Sequence, residues 1–376
     1  MFSLSRRAAL AFGAGLGIAM TVAPAAAKPS APLVFAHRGA SALRPEETLA
    51  AYAKAIADGA DFIEPDLVPT KDGVLVARHE SNIIETTNVA DHPEFAERKV
   101  VKVIDGQRQE GWFTEDFTLA ELKTLRAKER LGALRPESMG FDGQFEIATL
   151  GEIAALAARS KTAKGKPVGL IPEIKHSTYF AGLGFDMEAK LIAAIKASRY
   201  LQRAPLIIQS FEIGNLKRLH KALGGMRHVQ LMQLIETPDV PQPADVVKAG
   251  GKLTFEDMLT PKGLAEIARY AQWVAPHYRR IVPLDAAQNL VQNLGQRTAV
   301  VADARRAGLK VGTFTLRPEN KFLPANLRKG ADTARNPQGM VADVKQLLGA
   351  GIDGFFTDDP FLGRVAVDGG DGAALK

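Results

Sequence analysis

"FAHRGASALRPEETLAAYAKAIADGADFIEPDLVPTKDGVLVARHE", residues 35–80, sets four kinds of polar group among apolar runs. A His-Arg-Gly turn follows one run, and a Pro-Glu-Glu-Thr turn opens a helical pattern. A Glu-x-Asp pair sits inside a second run, and a histidine closes a third. Read by periodicity, "PLVFAH" (32–37), "EETLAAYAKAIADG" and "DFIEPDL" (61–67) are strand, helix and strand. The unit recurs. Further strands are expected at "VGLIPEIK" (168–175), "PLIIQSF" (205–211), "RHVQLMQLI" (227–235), "QWVAPH" (272–277), "KVGTFTL" (310–316) and "GFFTDD" (354–359). Helical patterns lie between them, several ending at glycine, the usual left-handed cap.

Eight apolar runs alternating with helices predict an α/β fold, a (β/α)8 TIM barrel of about 250 residues before insertions. A doubly wound sheet is the rival. It would typically carry a Gly-rich phosphate turn after its first strand, and "HRGASALRPEET" holds no G-x-G-x-x-G. The second strand ends near residue 68 and the next helix begins near 149. A stretch that long with its own strand and helix patterns reads as an insertion subdomain, about 69–148, on the C-terminal face of the barrel. The barrel domain is expected to span residues 28–365, and residues 366–376 to form a loose tail.

With 376 residues, 46% hydrophobic and 24% charged, the chain can bury a full core. Residues 1–27 read as a cleaved signal peptide: Arg6-Arg7, a weakly apolar Ala/Gly stretch, and the small-residue site Ala25-Ala26-Ala27. "SRRAAL" resembles a twin-arginine export signal, which places the mature protein in the periplasm. An uncleaved membrane anchor is the rival, weakened by Pro24 and the glycines, so no stable membrane anchor is expected. No cysteine is present, so neither disulfides nor a lipoprotein anchor is available. Residues 1–27 hold two of the 48 basic residues and none of the 42 acids, so the mature charge is 46 − 42 = +4. That mild excess, without a basic cluster, gives no support for nucleic-acid binding. Oligomeric state is not legible.

Glu64 and Asp66, at i and i+2 of a strand, point to one face with Cα atoms ~6.6 Å apart. Two such carboxylates repel, and burying either alone is costly. A divalent cation resolves both problems; a solvated strand edge is the alternative. Glu173 in "LIPEIKH" is a third acid at the end of another strand. Strand ends converge in a parallel barrel, and three carboxylates form an oxygen-only set suited to Ca²⁺ or Mg²⁺ rather than zinc. Lys175 faces the same way as Glu173, either as its ion-pair partner or toward a ligand. His37 and His79 close strands near this cluster and are candidates for an acid–base pair. Arg38 offers a planar fork to a phosphoryl group. Three carboxylates, one divalent cation, Arg38 and Lys175 sum to +1, which a phosphodiester would neutralise.

The ordered set "HRG…RPEET…FIEPDLVPTKDGVLVARHE", then "PEIK" and "GFFTDDP", resembles the glycerophosphodiester phosphodiesterases over residues 33–362. The resemblance implies a TIM barrel with a subdomain inserted after strand two. It implies an acid–base pair in His37 and His79, and metal ligands in Glu64, Asp66 and Glu173, with Ca²⁺ common and Mg²⁺ an option. It further implies a phosphate-binding Arg38, a phosphate-side Lys175 and an orienting Glu46, acting on a small glycerophosphodiester. Two departures stand out. His79-Glu80 replaces a more usual His-Asp, and Glu47 replaces Asn or His in the Pro-Glu turn; both are expected to alter pocket polarity. The rival functions are a phospholipase D-like or phosphoinositide-specific phospholipase C-like enzyme, with Trp112, Phe113 and Phe117 as a candidate apolar lip, and a non-catalytic phosphodiester receptor.

Overall fold

The computed structural model describes Met1, residues 31–290, residues 299–373 and Leu375. Apart from Met1, the expected signal peptide lies outside the described residues. Residues from Ala31 onward form one compact unit.

Eight parallel strands alternate with helices, as the apolar runs predict. The first is Leu33–His37. The second is split at Pro65, which has no N–H to give, into Phe62–Glu64 and Asp66–Pro69. The third is split likewise into Gly169–Leu170 and Glu173–Ile174. Leu206–Ser210, Val229–Ile235, Trp273–Pro276, Lys310–Val311 and Gly354–Thr357 complete the set. Neighbours pair in chain order, and the eighth strand pairs with the first, Phe35 opposite Phe356. Closure between the seventh and eighth comes beyond Val311: Phe356 N–H donates to the Thr313 carbonyl at 2.9 Å and Leu316 N–H to the Phe356 carbonyl at 3.0 Å.

Side chains alternate across each strand. Phe35, Phe62, Ile171, Ile207, Met232, Leu234, Trp273, Ala275 and Phe356 fill the barrel interior. Phe35 sits edge-on to Phe62 at 5.5 Å and to Trp273 at 5.9 Å. Alternate residues such as Val34, Ile63 and Leu170 pack outward against the helices. Continued toward the C-terminal end, the inward parity passes from Phe35 to His37, from Phe62 to Glu64 and from Ile171 to Glu173. It passes likewise from Ile207 to Gln209 and from Phe356 to Asp358. The apolar core thus ends in a polar layer at one mouth.

Between the second strand and the helix Leu150–Ala158 the chain makes a long excursion. Leu75–Ala77 pairs antiparallel with Asp66–Pro69. A hairpin, Val100–Ile104 with Gln107–Gly111, turns at Asp105 and Gly106, both at positive φ. Trp112, Phe113 and Phe117 are buried, and Trp112 Nε1 donates to the Phe95 carbonyl at 2.7 Å. They pack the excursion and form no lip. The chain end also differs from expectation. Residues 366 and 367 belong to the helix Pro360–Val367, and Leu375 packs against the core. No helix among the described residues is long and apolar enough to cross a membrane.

Candidate active site

The turn after the first strand is tight. Gly39 stands at φ +87°, and a Cβ there would lie 2.6 Å from the Ala51 carbonyl carbon, so only glycine lets the turn cross the helix Leu49–Ala57. This turn sets His37 and Arg38 over the barrel mouth. Thr48 caps that helix by accepting from Ala51 N–H at 3.1 Å, which fixes the Pro-Glu-Glu-Thr turn beside it.

One oxygen from each of Glu64, Asp66 and Glu173 lies within 4.8 Å of the other two, and all three residues are buried. Asp66 and Glu173 are register partners on adjacent strands. Glu64 accepts from Gln209 Nε2 at 2.8 Å and from Arg38 N–H at 2.9 Å. Asp66 Oδ2 lies 3.0 Å from Arg38 Nε, yet neither atom makes a well-directed hydrogen bond within the protein. Lys175 Nζ sits 2.9 Å from Glu173 Oε1 and 3.9 Å from Asp66 Oδ1.

The charges are frustrated. Burial, then the charges of Asp66, Glu47 and Glu173, hold Glu64 well above the usual carboxylate range. Burial lifts Glu173 to about 8, with Lys175 opposing and Asp66 reinforcing. Burial would raise Asp66 too, but Lys175, His79 and Arg38 outweigh it and hold that carboxyl low. A buried oxygen without a directed partner, in an oxygen-only set carrying excess negative charge, fits a hard divalent cation. Glu64, Asp66 and Glu173 are the residues that could hold it.

The two histidines are arranged alike. His37 Nδ1 lies 2.6 Å from Asp358 Oδ1, and His79 Nδ1 hydrogen-bonds Glu80 Oε1. A carboxylate on Nδ1 fixes the tautomer and leaves Nε2 as the free nitrogen. Burial, then Arg38, lowers His37 to about 4 and His79 to about 3, so both rings are neutral near pH 7 in the free protein. Both line a cavity of about 870 Å³, together with Arg38, Glu64, Glu173 and Lys175. Asp66 lies beneath them, 1% exposed.

Glu46 accepts from Arg38 Nη1 at 3.3 Å and lies 3.1 Å from Arg130 Nε. All eight residues singled out in the sequence therefore gather at one end of the barrel. The two departures act differently from expectation, because neither lines the large cavity. Glu47 is buried below the acidic cluster, where Oε1 accepts from Asp66 N–H at 2.8 Å and Oε2 accepts from Tyr52. Glu80 holds His79.

The model of the glycerophosphoryl diester phosphodiesterase family matches residues 37–362. The chain belongs to this family. A glycerophosphodiester phosphodiesterase of Arabidopsis thaliana is 33% identical over 344 residues, covering 88% of this chain and 84% of the relative. One from Haemophilus influenzae is 28% identical, covering 88% of each. An Oleispira antarctica phosphodiesterase, solved in complex with the product sn-glycerol-3-phosphate, shares the fold at TM-score 0.54 and 22% identity, covering 90% of this chain and 97% of that one. The chain is thus a glycerophosphodiester phosphodiesterase, a hydrolase on a TIM barrel.

Sequence reasoning missed the second layer of this phosphodiesterase. Asp358 follows the eighth strand within "GFFTDDP", where residue type alone does not mark it. The inward parity from Phe356 is the signal that would have found it. Arg317 Nε donates to Asp358 Oδ2 at 3.0 Å, and Glu319 accepts from Arg135 at 2.7 Å, so the segment 317–320 after the seventh strand braces the His37 side. His176 and His277 also line the cavity.

Proposed function

We propose that the enzyme hydrolyses small glycerophosphodiesters to sn-glycerol 3-phosphate and an alcohol, using Ca²⁺, with Mg²⁺ as the alternative, held by Glu64, Asp66 and Glu173. One observation carries this reading: a buried three-carboxylate cluster opens on the same cavity as two imidazoles whose Nδ1 atoms are already engaged. The sn-glycerol-3-phosphate in the Oleispira relative supports the product class.

The bound cation would polarise a phosphoryl oxygen as a Lewis acid. The protein's own groups do the rest. Arg38, pinned between Glu46 and Asp66, presents its guanidinium to the phosphate, and Lys175 adds a second positive charge. One imidazole takes the proton from the attacking oxygen, of water or of the glycerol 2-hydroxyl, as that oxygen bonds to phosphorus and the P–O bond to the alcohol breaks; attack by the hydroxyl gives a cyclic phosphate that water then opens. The other imidazole delivers a proton to the leaving alkoxide. The anionic substrate beside Arg38 offsets the cation that depresses both rings, so the acid acquires its proton in the complex.

A coupled assay for glycerol 3-phosphate, offered glycerophosphocholine, glycerophosphoethanolamine and glycerophosphoglycerol, tests this. We expect release from at least one, and loss of turnover with retained cation binding in His37→Ala and His79→Ala. Near-normal rates in either variant would refute the acid–base assignment. Turnover of intact phospholipid vesicles without turnover of the water-soluble diesters would favour the lipid-acting alternative.

We also propose periplasmic export directed by residues 1–27. Arg6→Lys with Arg7→Lys should trap the precursor in the cytoplasm, as read by fractionation. Unchanged periplasmic yield would exclude a twin-arginine route.

A further inference from the structure

Two arginines of the excursion, five positions apart, reach the two histidines by the same means. Arg130 Nη1 donates to both oxygens of Glu80, at 2.9 and 3.1 Å, and Glu80 holds His79. Arg135 Nη2 donates to Asp358 Oδ2, and Asp358 holds His37 through its other oxygen. The remaining Arg135 nitrogens are also committed: Nε to Glu319 at 2.7 Å and Nη1 to the Ser41 carbonyl at 3.0 Å. The guanidinium therefore bridges the ends of strands one, seven and eight, and its side chain is only 3% exposed.

The segment bearing both arginines is itself braced. Glu129 accepts from Leu131 N–H at 2.8 Å and from Ser138 Oγ at 2.6 Å, and its own N–H donates to Asp142 at 2.7 Å. Arg130 differs from Arg135 in one respect. Its Nε lies 3.1 Å from Glu46, the residue that pairs with Arg38.

We propose that Arg130 and Arg135 are positioning residues, through which one short braced segment sets the orientation of both acid–base imidazoles. The inference rests on the acid–base reading of His37 and His79. A carboxylate held by a buried or half-buried guanidinium through charge-assisted hydrogen bonds is restrained, so the imidazole it holds keeps its tautomer and aim. The asymmetry gives each arginine its own kinetic signature. Arg135 acts on His37, sharing Asp358 Oδ2 with the more exposed Arg317 Nε at 3.0 Å, and should affect the rate of the chemical step. Arg130 acts on His79 and, through Glu46, on the phosphate-binding Arg38, so it should affect both rate and substrate binding.

The test is steady-state kinetics on the cation-loaded full-length enzyme, with Arg135→Ala, Arg135→Lys, Arg130→Gln and the two histidine variants in parallel. Arg135→Ala should lower kcat at least 30-fold with KM within about twofold, and millimolar guanidinium should restore part of kcat. Arg135→Lys, which keeps the charge but loses the three-way fork, should remain impaired. Arg130→Gln should lower kcat and raise KM at least fivefold. Should Arg135→Ala fail to fold, Arg130→Gln, at a 19% exposed side chain, carries the test alone. Folded arginine variants with kcat within threefold of wild type would overturn the inference, provided the histidine variants are inactive. So would a fall in kcat without the KM split or without guanidinium rescue. Histidine variants that stay active would overturn the underlying reading instead.

Discussion

His37 is an imidazole whose chemistry is set by what lies behind it. Burial and Arg38 lower its proton affinity by more than Asp358 on Nδ1 raises it, leaving the ring at about 4. Replacing Asp358 by Asn removes the charge that favours imidazolium. The proton affinity therefore falls again, and whichever limb of the kcat/KM profile reports His37 should move to lower pH. Loss of a fixed tautomer should also reduce kcat at pH 7 by roughly 10²–10⁴, the usual contribution of a general acid or base, with KM little changed. A kcat within threefold of wild type would contradict this role. The chemistry-bearing residues of strands one, two and three were legible because strand parity and residue type agree: Glu64, Asp66 and Glu173 can end an inward row only if something pairs them. Arg130 and Arg135 were not legible. They sit in an irregular segment with no period, and an arginine's partner across 223 positions, as for Arg135 and Asp358, leaves no local trace.

Among the elements, the turn at Gly39 carries the tightest backbone constraint beside the site. Gly39→Ala would place a Cβ 2.6 Å from Ala51 in a positive-φ conformation. We expect a loss of about 2 kcal/mol or more in urea unfolding, together with weakened activity, because the same turn aims His37 and Arg38. A loss below about 0.5 kcal/mol would show the turn to be slack. All eight strands were readable from apolar runs bounded by turn residues. Their breaks at Pro65 and after Leu170 follow from proline's missing donor. At the chain end, glycines and aspartates suggest looseness; the helix Pro360–Val367 runs two residues into the expected tail, and Leu375 packs against the core.

At the scale of the whole molecule, the barrel concentrates uncompensated negative charge in one buried spot, and that has a pH signature. Glu173 is raised to about 8 in the folded protein, against about 4.3 unfolded. The folded state thus binds the extra proton between these values. Its stability is full below the lower value and is lost as pH rises through the upper one. A cation held by these carboxylates would replace those protons, so its affinity should tighten from pH 6 to pH 8 with proton release. The central claim is that one cation on Glu64, Asp66 and Glu173 is required for diester hydrolysis, and calorimetric titration of Ca²⁺ into chelated enzyme at pH 8, with turnover measured on the same samples, tests it most directly. The account predicts one tightly bound ion per chain, activity regained in proportion to it, and loss of both in Glu173→Gln. Full turnover in the chelated protein, or unchanged binding in Glu173→Gln, would contradict it.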